Sequence, residues 1–148
     1  MYWWMDARSD MITFQILAAT NGWFAIALAP NSTLANGSIT VCSLDCNSQL
    51  SLSNWYANKG HAKPSEGPFN FTTPVAHHFN NVEQKSSCTF TRPLKAQHPL
   101  YDHTITNEPI HVLWAFGETK DFDYHGKNRG SVVLNLIQPV VRAFHQKL

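Results

Sequence analysis

Between residues 12 and 16 the chain reads Ile-Thr-Phe-Gln-Ile, with apolar and polar positions in strict alternation. A period of two is the mark of a strand with one face buried and the other wet. Asn21-Gly22 follows, two residues that tolerate positive φ and favour a hairpin, and from Trp23 to Ala29 the chain is almost wholly apolar until Pro30. The pattern predicts a hairpin joining these two strands. Further strands are expected over 38–43, 49–57, 88–91, 110–116 and 131–137, separated by loops at 58–69, 93–109 and 117–130 that are rich in Gly, Pro, Asn and Ser. Many short strands with frequent turns, and no long segment of 3.6-residue period, describe an all-β sandwich or barrel. One short helix is expected at the end, where Val140-Val-Arg-Ala-Phe-His-Gln-Lys follows Pro139. No repeat, charge run or linker divides the chain.

Composition changes this picture little. The length of 148 residues suits one domain with one core, and 43% hydrophobic against 14% charged residues disfavours disorder. A net charge of +1 with scattered Lys and Arg offers no stripe for phosphates, so no nucleic acid is expected as a partner. The longest apolar run, Trp23 to Ala29, is far short of the roughly 20 residues that cross a bilayer, and no membrane span is expected. The first residues, Met-Tyr-Trp-Trp-Met-Asp, lack the basic and apolar regions of a signal peptide, and a natural start farther upstream is expected.

Three sequons, at Asn31-Ser-Thr, Asn36-Gly-Ser and Asn70-Phe-Thr, all fall in loop-like stretches. They point to a glycoprotein of the extracellular space or the secretory-pathway lumen. Cys42, Cys46 and Cys88 are an odd number. Cys42 and Cys46 flank Ser-Leu-Asp, and a tight hairpin would bring them within the roughly 5.5 Å between Cα atoms that a disulfide prefers. That pair is the candidate disulfide; pairing of Cys88 with either is the rival, and three unpaired thiols are the bland alternative. No second Cys pair or His spacing for zinc accompanies them.

Ile105-Thr-Asn-Glu-Pro-Ile-His-Val-Leu-Trp-Ala-Phe-Gly117, followed by Asp123-Tyr-His-Gly-Lys-Asn-Arg-Gly-Ser-Val-Val-Leu-Asn-Leu136, resembles the C-terminal half of a DOMON domain. Within that family it is most similar to the N-terminal DOMON domain of dopamine-β-hydroxylase-like copper monooxygenases. Asn21 to Pro30 is similar to the family's Gly-Tyr/Trp, small-apolar, Ser-Pro segment, and Cys88-Thr-Phe-Thr-Arg-Pro-Leu94 to its Phe-X-Arg-X-Leu strand. The resemblance implies an immunoglobulin-like β-sandwich over residues 1–138, with 139–148 as a tail or short helix. Some family members hold a b-type haem between a His and a Met. Tyr124-His125 matches the position of the histidine ligand, and an imidazole in the loop before the last strand suits an axial ligand. In the loop that would supply the methionine stands Leu34, which has no lone pair for iron, and Ser38 replaces an acidic residue beyond it. His125, Tyr124, Leu34 and Trp114 are therefore the candidate haem or ligand pocket, with His125 the candidate iron ligand. A loop histidine bonded to nearby backbone is the bland alternative.

Other constellations carry less. His77-His78 invites a copper or zinc reading, but adjacent residues of a strand point to opposite faces and cannot share an ion. Glu118, Asp121 and Asp123 offer oxygen ligands for calcium without an EF-hand pattern, and a solvated acidic loop is the simpler reading. Among the five tryptophans, Trp23 and Trp114 lie in apolar strands, whereas Trp55-Tyr56, beside a polar loop, is the candidate exposed platform for a sugar. Nucleophile elbow, P-loop and dinucleotide fingerprints are missing from the sequence. The expected function is an extracellular ligand-binding or interaction module of a larger copper-monooxygenase-like redox protein, attached to downstream domains and not catalytic alone. The alternative is a b-type haem electron-transfer domain with His125 as axial ligand.

Overall fold

The computed structural model describes residues 1–6, 9–44, 49–58, 63–67, 70–80, 82–137 and 142–143. Among these residues eleven strands run in chain order: β1 (Tyr2–Met5), β2 (Met11–Ala18), β3 (Phe24–Ala29), β4 (Ser38–Leu44), β5 (Leu50–Tyr56), β6 (Ser65–Glu66), β7 (Thr73–Asn80), β8 (Lys85–Pro93), β9 (Ile110–Phe116), β10 (Arg129–Leu134) and β11 (Arg142–Ala143). They form two antiparallel sheets, one of five strands in the order β11-β1-β2-β8-β7 and one of six in the order β10-β9-β3-β4-β5-β6. The two sheets face each other as a sandwich, and the expected all-β architecture is the observed one. No described residue is helical. Arg142 and Ala143 pair with Trp3 and Tyr2, so the expected terminal helix is replaced at these positions by a strand that covers the edge of β1.

The expected hairpin between the first two strands is not formed. β2 pairs with β1 and β8, while β3 pairs with β4 and β9, so Asn21-Gly22 carries the chain from one sheet to the other. The reason lies in β3, whose six residues are all buried. A strand apolar on both faces belongs in the middle of a sheet with both faces covered, and pairing with β2 would have left it without that cover. The crossing is held by side chain and backbone together. The Thr20 hydroxyl donates to the Gly117 carbonyl at 2.8 Å and accepts from the Gly22 N–H at 3.0 Å, and the Trp23 N–H donates to the Thr119 carbonyl at 3.0 Å. A side chain at position 22 would place its Cβ 2.6 Å from the Glu118 carbonyl carbon, which only glycine avoids.

Phe24, Ile26 and Leu28 of β3 pack between the sheets with Ile12, Phe14 and Phe90. Cys42 of β4 and Cys88 of β8 meet there, both fully buried, and form a disulfide between the sheets with 6.5 Å between Cα atoms. This corrects the candidate Cys42–Cys46 bridge. Residues 45–48 lie outside the described residues, and Cys42 has only one sulfur to give. The spacing of Cys42 and Cys46 along the chain held no information about the opposite sheet, from which the true partner comes.

A second buried feature ties the long segment after β8 to the sandwich. The Arg92 guanidinium pairs with the Asp102 carboxylate, both side chains being almost wholly buried, and donates to the His103 carbonyl at 2.6 Å. Asp102 also accepts from the backbone N–H groups of His103 at 2.7 Å and Gln97 at 3.3 Å. Burial lowers the Arg92 pKa, and the Asp102 charge and hydrogen bond oppose that fall. From the loop so anchored, the His103 ring N–H at Nε2 donates to the Asn36 carbonyl, since a carbonyl can only accept. The Tyr56 hydroxyl donates to Asn36 Oδ1 at 3.3 Å. Asn36 sits at φ 57°, a left-handed position that asparagine tolerates, so the connection between β3 and β4 is gripped at its tightest point.

Candidate functional site

Alternate residues of β3 serve two different environments. Ala25 and Ala27 turn away from the sheet interface and join Trp23, Ile39, Val41 and Ala57 in a second buried cluster on the outer face of the six-stranded sheet. Register places Ala25 level with Ala115 and Arg129, and Ala27 level with Leu113 and Ser131. Small side chains in the middle of the sheet leave a hollow. Two loops rise around it: the β3–β4 connection, carrying Ser32, Thr33 and Leu34, and the β9–β10 connection, carrying Phe122 and His125. The hollow is a half-open cleft of about 550 Å³, within the range of small-molecule clefts.

Phe122 holds the second loop down. Its ring meets Trp23 edge-on at 4.8 Å between centroids and Trp55 at 4.9 Å. The Trp55 indole N–H donates to Ser53 Oγ at 2.9 Å. Trp55 is thus half-buried under Phe122, and Tyr56 on the opposite face packs edge-on against Tyr101 at 5.5 Å. The pair expected to form an exposed sugar platform is two partly buried residues on different faces, because a strand alternates its side chains.

Of the four candidate pocket residues, the structure brings Leu34, His125 and Trp114 to the cavity wall. Trp114 borders it from the side of the sheet. Its ring stacks on Phe116 at 6.4 Å and packs against the inter-sheet core. It lies over Gly130, where a Cβ would fall 2.6 Å from the indole Cε2, and its Nε1 is buried without a hydrogen-bond partner among the described residues. Tyr124 does not line the cavity; it is 77% exposed and stacks on the His125 ring at 5.1 Å. His125 Nδ1 lies 3.0 Å from the Gly126 carbonyl. Only a protonated Nδ1 can make that bond, which in the neutral ring leaves a lone pair on Nε2. The remaining polar groups at the cavity are the hydroxyls of Ser32, Thr33 and Ser131 and the guanidinium of Arg129, and among the described residues no carboxylate lines it. Sequence reasoning had passed over Phe122, an isolated aromatic in a charged loop, and Arg129, which becomes a rim residue only once β10 is placed beside β9.

The other sequence candidates lie elsewhere. His77 and His78 are exposed on β7 and point to opposite faces. Glu118, Asp121 and Asp123 are exposed, and among the described residues no three His, Cys, Asp or Glu side chains gather as metal ligands. Asn31 is exposed and its Oδ1 accepts from Thr33 N at 2.9 Å and Thr33 Oγ1 at 2.5 Å, whereas Asn36 is half-buried under the Tyr56 hydroxyl. Asn70 is exposed and accepts from Asn54 Nδ2 at 3.5 Å, with Thr72 of the same sequon buried on Asn54. No helix among the described residues is long and apolar enough to cross a membrane.

Comparison with known proteins bears on this arrangement. The DOMON domain family profile matches residues 1–117. MOXD1 homolog 1 of Drosophila melanogaster is 23% identical over 150 residues, a match that takes in 93% of this chain and 20% of the relative, so the chain spans about a fifth of that protein's length. Among solved structures, the cytochrome b domain of pyranose dehydrogenase from Coprinopsis cinerea superposes with a TM-score of 0.66 at 14% identity, covering 91% of this chain and 74% of that one. The cytochrome domain of Myriococcum thermophilum cellobiose dehydrogenase gives 0.63 at 13% identity, covering 86% and 67%. At such identities the likeness is one of fold.

Proposed function

Because the chain belongs to the DOMON domain family, we propose that it is a ligand-binding module of a larger, copper-monooxygenase-like redox protein, with the chemistry carried out by domains other than this one. The observation that carries this reading is the outer-face cavity: an apolar floor on a rigid sheet, walls from two loops, and a few polar groups converging at the rim, the usual make-up of a small-molecule site. The match to a fifth of a longer relative agrees with a module among other domains. The buried Cys42–Cys88 disulfide and the exposed sequon at Asn31 favour the secretory lumen or the extracellular space, where such bonds persist.

The test uses 1-pyrenebutanol, a neutral, apolar fluorophore. Its emission should shift on titration with the intact chain, and Ala27→Trp, which fills the hollow from its floor, should weaken binding at least about tenfold, the equivalent of about 1.4 kcal/mol. Binding that is indifferent to position 27 would remove the cavity from the argument.

One observation favours a second reading, a b-type haem held by His125. The Nδ1–H bond to Gly126 orients the ring and leaves Nε2 as the donor, the arrangement that metal-bound imidazoles use. Across the cavity Leu34 offers no ligand atom, and the three methionines, Met1, Met5 and Met11, lie in or next to the five-stranded sheet, on the other side of the sandwich. The residues present therefore suit a haem with one protein ligand. Bound there, haem would supply a one-electron centre. On this reading a haemin titration produces a Soret band that His125→Ala abolishes; a spectrum unchanged by the substitution counts against it.

A further inference from the structure

On the reading that the outer-face cavity is a ligand site, we infer that its occupant is an organic anion: an apolar body on the alanine floor with an acidic group held by Arg129. Arg129 opens β10 and stands level with Ala115 and Ala25 across the sheet, so its stem rises beside the floor of the hollow. Only its backbone is engaged, through an N–H bond to the Lys127 carbonyl at 2.9 Å. Among the described residues the guanidinium has neither an ion-pair nor a hydrogen-bond partner, unlike Lys85, which pairs with Glu83, and Arg92, which pairs with Asp102. The contrast with Arg92 is instructive, because that guanidinium is fully employed in holding a loop, whereas Arg129 is presented to the cavity with its donors unused.

Charge around the cavity points the same way. Among the described residues the lining holds no carboxylate, and its polar groups there besides Arg129 are three hydroxyls and the His125 imidazole. Glu118, Asp121, Asp123 and Lys127 all stand on the β9–β10 connection, and all four are exposed and outside the described lining of the hollow, so Arg129 is the one formal charge in that lining. A neutral apolar guest would leave the guanidinium at the rim with water alone. A guest carrying a carboxylate, sulfonate or phosphate would complete its hydrogen bonds in the planar, two-pronged geometry that guanidinium offers and a lysine ammonium does not.

The experiment compares two probes that differ only in the group at stake, 1-pyrenebutyrate and neutral 1-pyrenebutanol, titrated against the full chain at low ionic strength and again near 0.5 M salt. The butyrate should bind about tenfold more tightly than the alcohol, as expected of a charge-assisted hydrogen bond to an exposed guanidinium at the mouth of an apolar hollow, and the advantage should shrink as salt screens it. In Arg129→Gln the two probes should bind alike, with the alcohol's affinity within about twofold of the wild type. Lys127→Gln should keep the preference. Equal binding of both probes by the wild type, a preference that survives in Arg129→Gln, or its loss in Lys127→Gln would each overturn the assignment while leaving the cavity reading in place. If neither probe binds the wild type, the cavity reading fails first and this inference with it.

Discussion

An Asp102→Ala chain should unfold about 3–5 kcal/mol more easily than the wild type, because it strands the Arg92 guanidinium in a site where that side chain is only 2% exposed. The loss is larger than the pair's own net worth. Removing one partner leaves a buried cation with the full cost of lost hydration, and the carbonyls of His103 and Pro93 and the face of Phe71, 5.3 Å away, compensate it in part. Domains of this size hold about 5–15 kcal/mol in all, so the variant should sit close to its unfolding threshold at physiological temperature. Urea unfolding followed by tryptophan fluorescence measures the shift. The double substitution Arg92→Met with Asp102→Leu should recover most of the loss, since it removes both charges at once. A loss below about 1 kcal/mol in the single variant would mean that the guanidinium finds other partners, and that the loop after β8 does not depend on the pair.

Reduction of the Cys42–Cys88 disulfide, or the variant with alanine at both positions, should cost about 4 kcal/mol. The bridge closes 46 residues, and the chain-entropy relation gives roughly that figure for a loop of this length. At about 2–4 °C per kcal/mol for a chain near this size, the melting temperature should fall by about 8–16 °C. Differential scanning calorimetry with and without reductant reads the effect directly. Both cysteines are fully buried, so reduction of the folded protein should be slow and should accelerate as denaturant opens the sandwich. A melting temperature indifferent to reductant would show that the two sheets hold together without the bridge.

The architecture was largely legible in the sequence because periodicity reports burial. Residues 12–16 alternate and form β2; residues 23–29 do not alternate and supply β3, buried on both faces. Pairing was the hidden part. Asn21-Gly22 carries a strong local hairpin signal, yet the demand of β3 for cover on both faces outweighs it, and that demand is visible only when all the strands compete for partners. β7 escaped notice because Thr73 to His78 are all exposed and show no alternation, and β1 because Tyr-Trp-Trp-Met is too short for a period to register. The disulfide follows the same logic as the hairpin: Cys42 is four residues from Cys46 along the chain, yet its partner in space is Cys88, 46 residues away on the other sheet.

The candidate site divides similarly. Leu34 and His125 are 91 positions apart, as the two residue numbers show, and it was likeness to a family pattern that put them together; the coordinates set both on one cavity. Tyr124 is adjacent to His125 and its ring lies against the imidazole outside the hollow's described lining, so it faces water and not the cavity. Phe122 and Arg129 were not found, because the role of each depends on what lies across from it: two tryptophans for the first, a hollow for the second.

β3 puts phenylalanine, isoleucine and leucine on one side and alanines on the other, so a single run of backbone sets both the volume of the interior and the emptiness of the cavity. Were the strand to slide by one position against β4 and β9, every side chain would change sides at once. Ile26 and Leu28 would then occupy the hollow and close it, while alanines would leave voids between the sheets at about 2–5 kcal/mol for each large side chain withdrawn. The chain thus cannot lose its cavity by misalignment without also losing its core, so a register that keeps the interior packed also keeps the hollow open.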